Sequence, residues 1–399
     1  MMDVDVCVVG GGPAGLVLGL LLARAGVEVT VLEKHESFLR DFRGDTVHPS
    51  TLDVLDELGL GEAAQKLPHR KVSGLRATFA DGTFQVADFR RLRIAHPYLM
   101  FVPQWDFLEL VAEQAAKHPG FTLLRSHEVV DLLRDGTGRV AGVRAAGPDG
   151  SVEVRARLTV GTDGRHSTVR ERLGWPVREY GAPMDVLWFR LPRRPDDPEG
   201  LDFRVSAGRL MIGIDRGDYW QLAYVIPKGG YDAVRAAGLP AFRDSVAALA
   251  PLLADRVGEV TDWDAVKTLT VQLNRLRRWH GPGVLLIGDA AHAMSPVGGV
   301  GINLAVQDAV ATARLLAPAL KDGTLRDADL DRVRRRRRYP TAGTQFGQRV
   351  IQRAVIGRLL ATDRPVNAPL PLRVLNRYPA LQALPARAVG IGLRPEHVG

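Results

Sequence analysis

One cysteine in 399 residues rules out a disulfide framework and any metal centre built on thiolates. That residue, Cys7, alternates with valines and reads as a small core side chain. Long uncharged apolar runs are also missing, so no membrane-spanning helix is expected. The acidic opening Met-Met-Asp-Val-Asp offers no basic region for a secretory signal, and the expected location is cytoplasmic. No spacing of His, Cys and carboxylates suggests a metal, and none is expected. Acidic residues number 45 against 53 basic ones, a formal net charge of +8. The arginine run from Arg332 to Arg338 follows Asp327, Asp329 and Asp331 in a helical context. It reads as a solvated, partly salt-bridged helix, and no nucleic-acid partner is expected.

What is present is ordinary globular composition, 46% hydrophobic and 25% charged, in a chain long enough for two domains and a large core. Val4 to Val9 is a β-branched run of the kind that forms a fully buried strand. Gly10, Gly12 and Gly15 follow in G-x-G-x-x-G spacing, with Pro13 and Ala14 between them, and an apolar helix runs to Gly26. The first glycine permits a sharp turn, the second lets a diphosphate approach the backbone, and the third lets helix and strand pack closely. A second strand, Val27 to Leu32, ends in Glu33, about 20 residues on, where a carboxylate can accept from both ribose hydroxyls. An adenine dinucleotide fits this unit, which does not by itself distinguish NAD from FAD.

Further along, Ser50 or Thr51 can cap a helix striped with Leu52, Leu55 and Leu58. Asp81-Gly82 marks a hairpin, and a helix runs from Asp106. Residues 180–270 read as a second, antiparallel sheet with a hairpin at Arg216-Gly217-Asp218. The stretch from Gly283 restores strand, loop and long helix, so the first domain is discontinuous. The expected division is 1–75, 101–178 and 268–340 for a dinucleotide domain, 76–100 and 179–267 for the antiparallel sheet, and 341–399 for a helical tail.

Two later loops sit at strand ends and repeat the chemistry of the first. One carries Thr162-Asp163-Gly164 before a helix starting near Ser167; the other carries Gly288-Asp289-Ala290-Ala291-His292, in which Asp289 can bind a ribityl hydroxyl. Between Pro296 and Asn303, glycines at 298, 299 and 301 strip side chains away just before a helix. Several N–H groups there can point at one anionic or carbonyl-bearing ring, which suits a flavin better than a nicotinamide.

With these three loops together, the chain to about residue 340 resembles the class A flavoprotein monooxygenases, the para-hydroxybenzoate hydroxylase group. The resemblance implies an α/β Rossmann-like FAD domain with an interleaved antiparallel substrate domain. It implies FAD held by the Gly10–Gly15 loop, with Glu33 on the adenosine ribose, Asp289 on the ribityl chain, and Asp163-Gly164 serving both FAD and the reductant. Arg43, Gln104 and the loop containing Pro296, Gly299, Gly301, Ile302 and Asn303 are implied near the flavin ring. Lys34 stands where the family commonly has Arg, and Val300 where it often has Gln. There is no second G-x-G-x-x-G unit for NADPH or NADH, as the family leads one to expect, and no long thioredoxin-like C-terminal extension.

The implied chemistry is reduction of FAD by NADPH or NADH, then addition of O2 at C4a to give a hydroperoxide that passes one oxygen atom to an aromatic or polycyclic substrate. Arg43 and Gly44 are candidates for a flavin gate and Pro296 for a flavin-facing residue. No base is assigned, since His48 and His292 both read as structural. Trp188, Met211, Trp220 and Tyr224, on strands of the antiparallel sheet, are the candidate substrate wall. A monomer or homodimer is compatible with the sequence. A halogenase is disfavoured by the absence of W-x-W-x-I-P. An FAD-dependent reductase of isoprenoid double bonds and a non-catalytic flavin-binding partner remain as alternatives.

Overall fold

The computed structural model describes residues 1–39 and 46–399. The first strand, Met2–Val9, lies inside a mostly parallel sheet, with Val29–Leu32 on one side and Gly150–Gly161 on the other. Phe121–Leu124 and Val284–Leu286 extend the parallel set outward. Val6, Cys7 and Val8 are fully buried, because helices cover both faces and a doubly covered strand must be apolar on both. Burial pushes the Cys7 thiol pKa upward. Glu128–Arg134 and Val140–Gly147 form an antiparallel meander that joins the Gly150–Gly161 strand.

The second sheet has seven strands, in the order Lys267–Leu269, Met184–Pro192, Tyr219–Pro227, Arg209–Asp215, Leu201–Ser206, Gly74–Phe79 and Gly82–Asp88. All its pairings are antiparallel except that of Leu201–Ser206 with Gly74–Phe79. Its hairpins turn at Gly82, Gly208 and Gly217, all at positive φ, where glycine avoids the Cβ penalty. The helix Leu239–Leu249 covers one face of this sheet. A small third sheet, Thr46–Val47, Leu99–Phe101 and Arg70–Val72, lies beside the two larger ones.

Three expectations are corrected. The division at 340 falls inside one helix, Asp327–Ile351, which continues through Pro340. The tail after it is not separate: Asn376 exchanges hydrogen bonds with Gln85 of the antiparallel sheet, and Ser50 donates to the carbonyl of Gly390. Ser50 and Thr51 do not cap their helix, Pro49–Glu57, which has no side-chain cap; both hydroxyls donate to Asn303 Oδ1 instead, at 2.9 and 2.6 Å. Finally, the arginine run is not simply solvated, since Arg337 is 1% exposed. No helix among the described residues is long and apolar enough to cross a membrane.

Candidate active site

The carboxyl ends of three parallel strands bring the glycine loop and the two later loops together, the crevice where open α/β sheets bind ligands. A Cβ on Gly10, which has φ +105°, would lie 2.8 Å from Asp163 Cα and from the Thr162 carbonyl oxygen. One on Gly15 would collide with the Gly10 carbonyl. Gly12 differs: an added Cβ meets nothing within 4 Å, and the same holds at Gly164. Gly12 also precedes a helix that has no side-chain cap and has Pro13 in its first turn, so the backbone there is bare toward the crevice. Thr162 Oγ1 donates to the carbonyls of Val9 and Gly10 at 2.8 Å each, fastening the second loop to the first.

Glu33 is 3% exposed, and its carboxylate accepts from Gly11 N at 2.9 Å and His35 N at 3.0 Å. Lys34 beside it is exposed. Asp163 turns inward, accepting from Ser167 Oγ at 2.5 Å and Val169 N at 3.0 Å; burial pushes its carboxyl above the usual range despite those bonds. Its side chain thus builds the loop, while its backbone faces Gly10. Gly288 lies over Ala14, 3.3 Å from an added Cβ, and Asp289 is half-buried with Arg165 at 3.4 Å. Gln104 opens the helix Gln104–Ala115 and is half-buried.

The loop from Pro296 leads into the helix Gly301–Lys321, which begins without a side-chain cap. Its first backbone bond of helical spacing is Leu304 N to Val300 O, so the N–H groups of Gly301, Ile302 and Asn303 are left at a positive helix end. An added Cβ on Gly301 meets nothing within 4 Å. Gly299, at φ +63°, sits 3.2 Å from Thr46 Oγ1 by the same measure. These bare backbone surfaces, with the buried Glu33 carboxylate, fit a flavin dinucleotide. Asn303's side chain is taken up by Ser50 and Thr51. Arg43 and Gly44 lie outside the described residues.

Behind the loops is a buried ionic network that the sequence did not reveal. Asp308 Oδ2 accepts from Gly288 N at 3.0 Å and from His292 Nε2 at 2.6 Å. Its Oδ1 accepts from Arg337 Nε at 2.8 Å, and Arg337 reaches Glu396 at 3.2 Å. Burial alone would raise the Asp308 pKa, but His292 and Arg337 outweigh it and hold the carboxylate ionised. His292 also lies 4.9 Å from the Trp279 ring, and His48 is wholly buried, donating Nδ1–H to Val389 O at 2.7 Å. Both histidines are parts of the frame.

The proposed substrate wall divides in two, because successive residues of a strand face opposite ways. Met211, Trp220 and Tyr224 all point under the helix Leu239–Leu249, in a core with Phe242 and Val246. Trp220 Nε1 donates to Asp197 at 2.8 Å and Tyr224 is 2.6 Å from Ser245 Oγ. These three are packing residues, not a substrate wall. Trp188 points the other way, into an apolar cluster with Ile212 that includes Val297 of the glycine-rich loop. Its indole N–H is buried with no hydrogen-bond partner among the described residues. Strand alternation puts Trp220 and Tyr224 on one face without saying which face meets the loop, and Ile212, on the Trp188 face, was not among the candidates.

A sequence family described as an FAD binding domain matches residues 3–354. Over 384 residues, 95% of this chain and 90% of the relative, the sequence is 36% identical to the 6-methylpretetramide 4-monooxygenase of Streptomyces rimosus. Among solved structures, the OxyS anhydrotetracycline hydroxylase of Streptomyces rimosus matches with a TM-score of 0.72 and 28% identity, covering 98% of this chain and 76% of that one. PqsL, a probable FAD-dependent monooxygenase of Pseudomonas aeruginosa, matches with a TM-score of 0.77 at 24% identity, covering 90% and 98%, a likeness of fold. The chain belongs to the FAD-dependent monooxygenases of the para-hydroxybenzoate hydroxylase class. It is an oxidoreductase that uses FAD, with NAD(P)H as electron donor.

Proposed function

We propose that this enzyme inserts one oxygen atom from O2 into a large, fused-ring aromatic compound. The observation that carries the substrate class is the Trp188 face: an apolar wall of the half-buried Trp188 and Ile212, clustered with Val297 of the glycine-rich loop, with one buried N–H that has no partner among the described residues. A flat ring system matches the apolar wall, and an oxygen substituent matches the indole donor. The 36% identity to an enzyme named for 6-methylpretetramide supports the same class.

In this reading the bare backbone at Gly12, where the uncapped helix begins, receives the FAD diphosphate, Gly15 lets that helix pack close enough to offer it, and Glu33 holds the adenosine ribose. Gly164 leaves room for the dinucleotide and Asp289 takes the ribityl chain. The N–H groups of Gly301, Ile302 and Asn303 face the ring, where a positive helix end favours negative charge. FAD, once reduced by NAD(P)H, supplies the oxygen-activating chemistry. The chain's own contribution is to orient the substrate ring and keep water away from it.

The test is oxidation of NADPH and NADH by the yellow, FAD-loaded protein with and without a panel of fused-ring phenols. Faster oxidation with one of them, and a product heavier by one oxygen, is expected. Oxidation unaffected by every aromatic, or a product that has gained two hydrogens and no oxygen, would contradict the proposal. The latter outcome is that of a reductase.

A further inference from the structure

The stretch that leads into the glycine-rich loop is buried at Ala293, Met294 and Ser295 and has no regular structure. Its backbone groups need partners, and one face of the helix Asp327–Ile351, with the π-helical turn Gln352–Ile356 that continues it, supplies them. Gln348 offers Ser295 a side-chain amide as a neighbouring strand would offer a peptide group. Its Oε1 accepts from Ser295 N at 3.2 Å, and its Nε2 donates to Ser295 O at 2.9 Å. The same Nε2 donates to Val297 O at 2.8 Å. Gln352 Nε2 donates to Ser295 Oγ at 2.6 Å, and that oxygen also accepts from Val297 N at 3.3 Å. Gln345, one turn back, donates to the carbonyls of Asn274 and Ala293 at 2.7 and 3.2 Å. The three glutamines are buried and share the spacing of a single helix face. Ile356 continues that face into the apolar cluster of Trp188 and Val297, while Phe346 and Val350 are exposed.

A row of buried glutamines is costly, because each long side chain gives up rotamer freedom and each amide must be paired. What this row holds cannot hold itself. Gly298 and Gly299 follow Val297, at φ +82° and +63°, with no side chains to fix them, and they lead to the uncapped helix start at Gly301. Where that start lies over the crevice is therefore set by the fastening before the glycines, at Ser295 and Val297. Val297 also belongs to the Trp188 face, so the same fastening places the loop against the substrate wall.

We propose that Gln348, supported by Gln352, is a positioning residue of the oxygenation reaction. Through Ser295 and Val297 it sets where the N–H groups of Gly301, Ile302 and Asn303 stand against the flavin ring and where Val297 stands against the aromatic substrate. This gives the chain beyond residue 340 a part in the site, and it rests on the reading that those N–H groups face the ring.

The test compares Gln348→Glu and Gln348→Met with wild type, all loaded with FAD. Glutamate keeps the shape and cannot donate; methionine fills the volume without a donor, and it carries the test should the buried carboxylate prevent folding. The readout is the reduction potential of the bound flavin. Displacing the positive helix end is expected to weaken binding of reduced, negatively charged flavin about tenfold relative to oxidised flavin, a fall of about 30 mV in midpoint potential. The KM for the aromatic compound is expected to rise about tenfold in the same variants, and affinity for oxidised FAD to stay within about twofold. Glu396→Ala, which loosens the same helix at its arginine end, is expected to lower Tm and leave the potential unchanged. A wild-type potential in folded Gln348→Met would overturn the proposal and leave the glutamines as packing. So would an equal fall in Glu396→Ala, which would make the shift a general effect of a loosened helix. Wild-type enzyme whose bound FAD is no easier to reduce than free FAD would instead refute the reading beneath the proposal, and the proposal with it.

Discussion

Two tryptophans in one sheet have opposite duties, and single substitutions separate them. Trp188→Phe keeps an aromatic side chain and removes an indole N–H that has no partner among the described residues; KM for an oxygen-bearing aromatic is expected to rise about tenfold with little change in Tm. Trp220→Phe removes a buried donor to Asp197 and is expected to cost about 1–3 kcal/mol in urea unfolding, with KM unmoved. Were Trp220→Phe to change KM, the assignment of faces would be wrong. Asp197 also carries a pH signature. Burial would raise its pKa, but Arg256, Arg194 N–H and Trp220 hold it at about 2 against 3.8. Its stabilisation, about 2 kcal/mol, is complete above pH 3.8 and is lost as pH falls toward 2. Asp197→Asn is expected to flatten that acid limb of a stability profile. The glycines were legible in the sequence because a missing side chain is visible there. The substrate face was not, because alternation sorts residues into two faces without saying which one meets the flavin loop.

At the scale of elements, the helix Asp327–Ile351 is the piece that the sequence misrepresents most. Its arginines look like a surface run, yet Arg337 is buried between Asp308 and Glu396. Glu396 lies 59 residues further along the chain, and no local pattern announces such a partner. Arg336 and Arg314 meet the same carboxylate at 2.6 and 2.7 Å. Removing one member of a buried pair leaves an uncompensated charge, so Glu396→Ala is expected to lower stability by about 3 kcal/mol in thermal or urea unfolding. Asp308→Asn is expected to do more than destabilise: Asp308 also accepts from Gly288 N, so FAD should dissociate faster from the folded variant, followed by flavin fluorescence. Equal flavin retention in both variants would confine the network to stability. The glycine-loop helix gives the complementary case. In Gly15→Ala the methyl meets the Gly10 carbonyl, and a colourless protein destabilised by about 1–3 kcal/mol is expected.

For the whole molecule, the order of strands, loops and helices along the chain was enough to read a discontinuous α/β domain with an antiparallel sheet set into it. Each βα unit is local, and parallel strands joined by helices admit few arrangements. The tail was not legible, because its helices are held by distant partners: Asn376 on Gln85, and the carbonyls of Val389 and Gly390 by His48 and Ser50. Those contacts join the FAD loops, the antiparallel sheet and the tail into one frame around the crevice. In the proposed reaction this frame directs one atom of O2 into an aromatic ring. The decisive measurement is turnover of the FAD-loaded enzyme with NAD(P)H, a fused-ring phenol and isotope-labelled O2, with the product weighed by mass spectrometry. The expected product carries one labelled oxygen, with the second atom released as water. A product without label, or substrate consumed without O2 uptake, would contradict it.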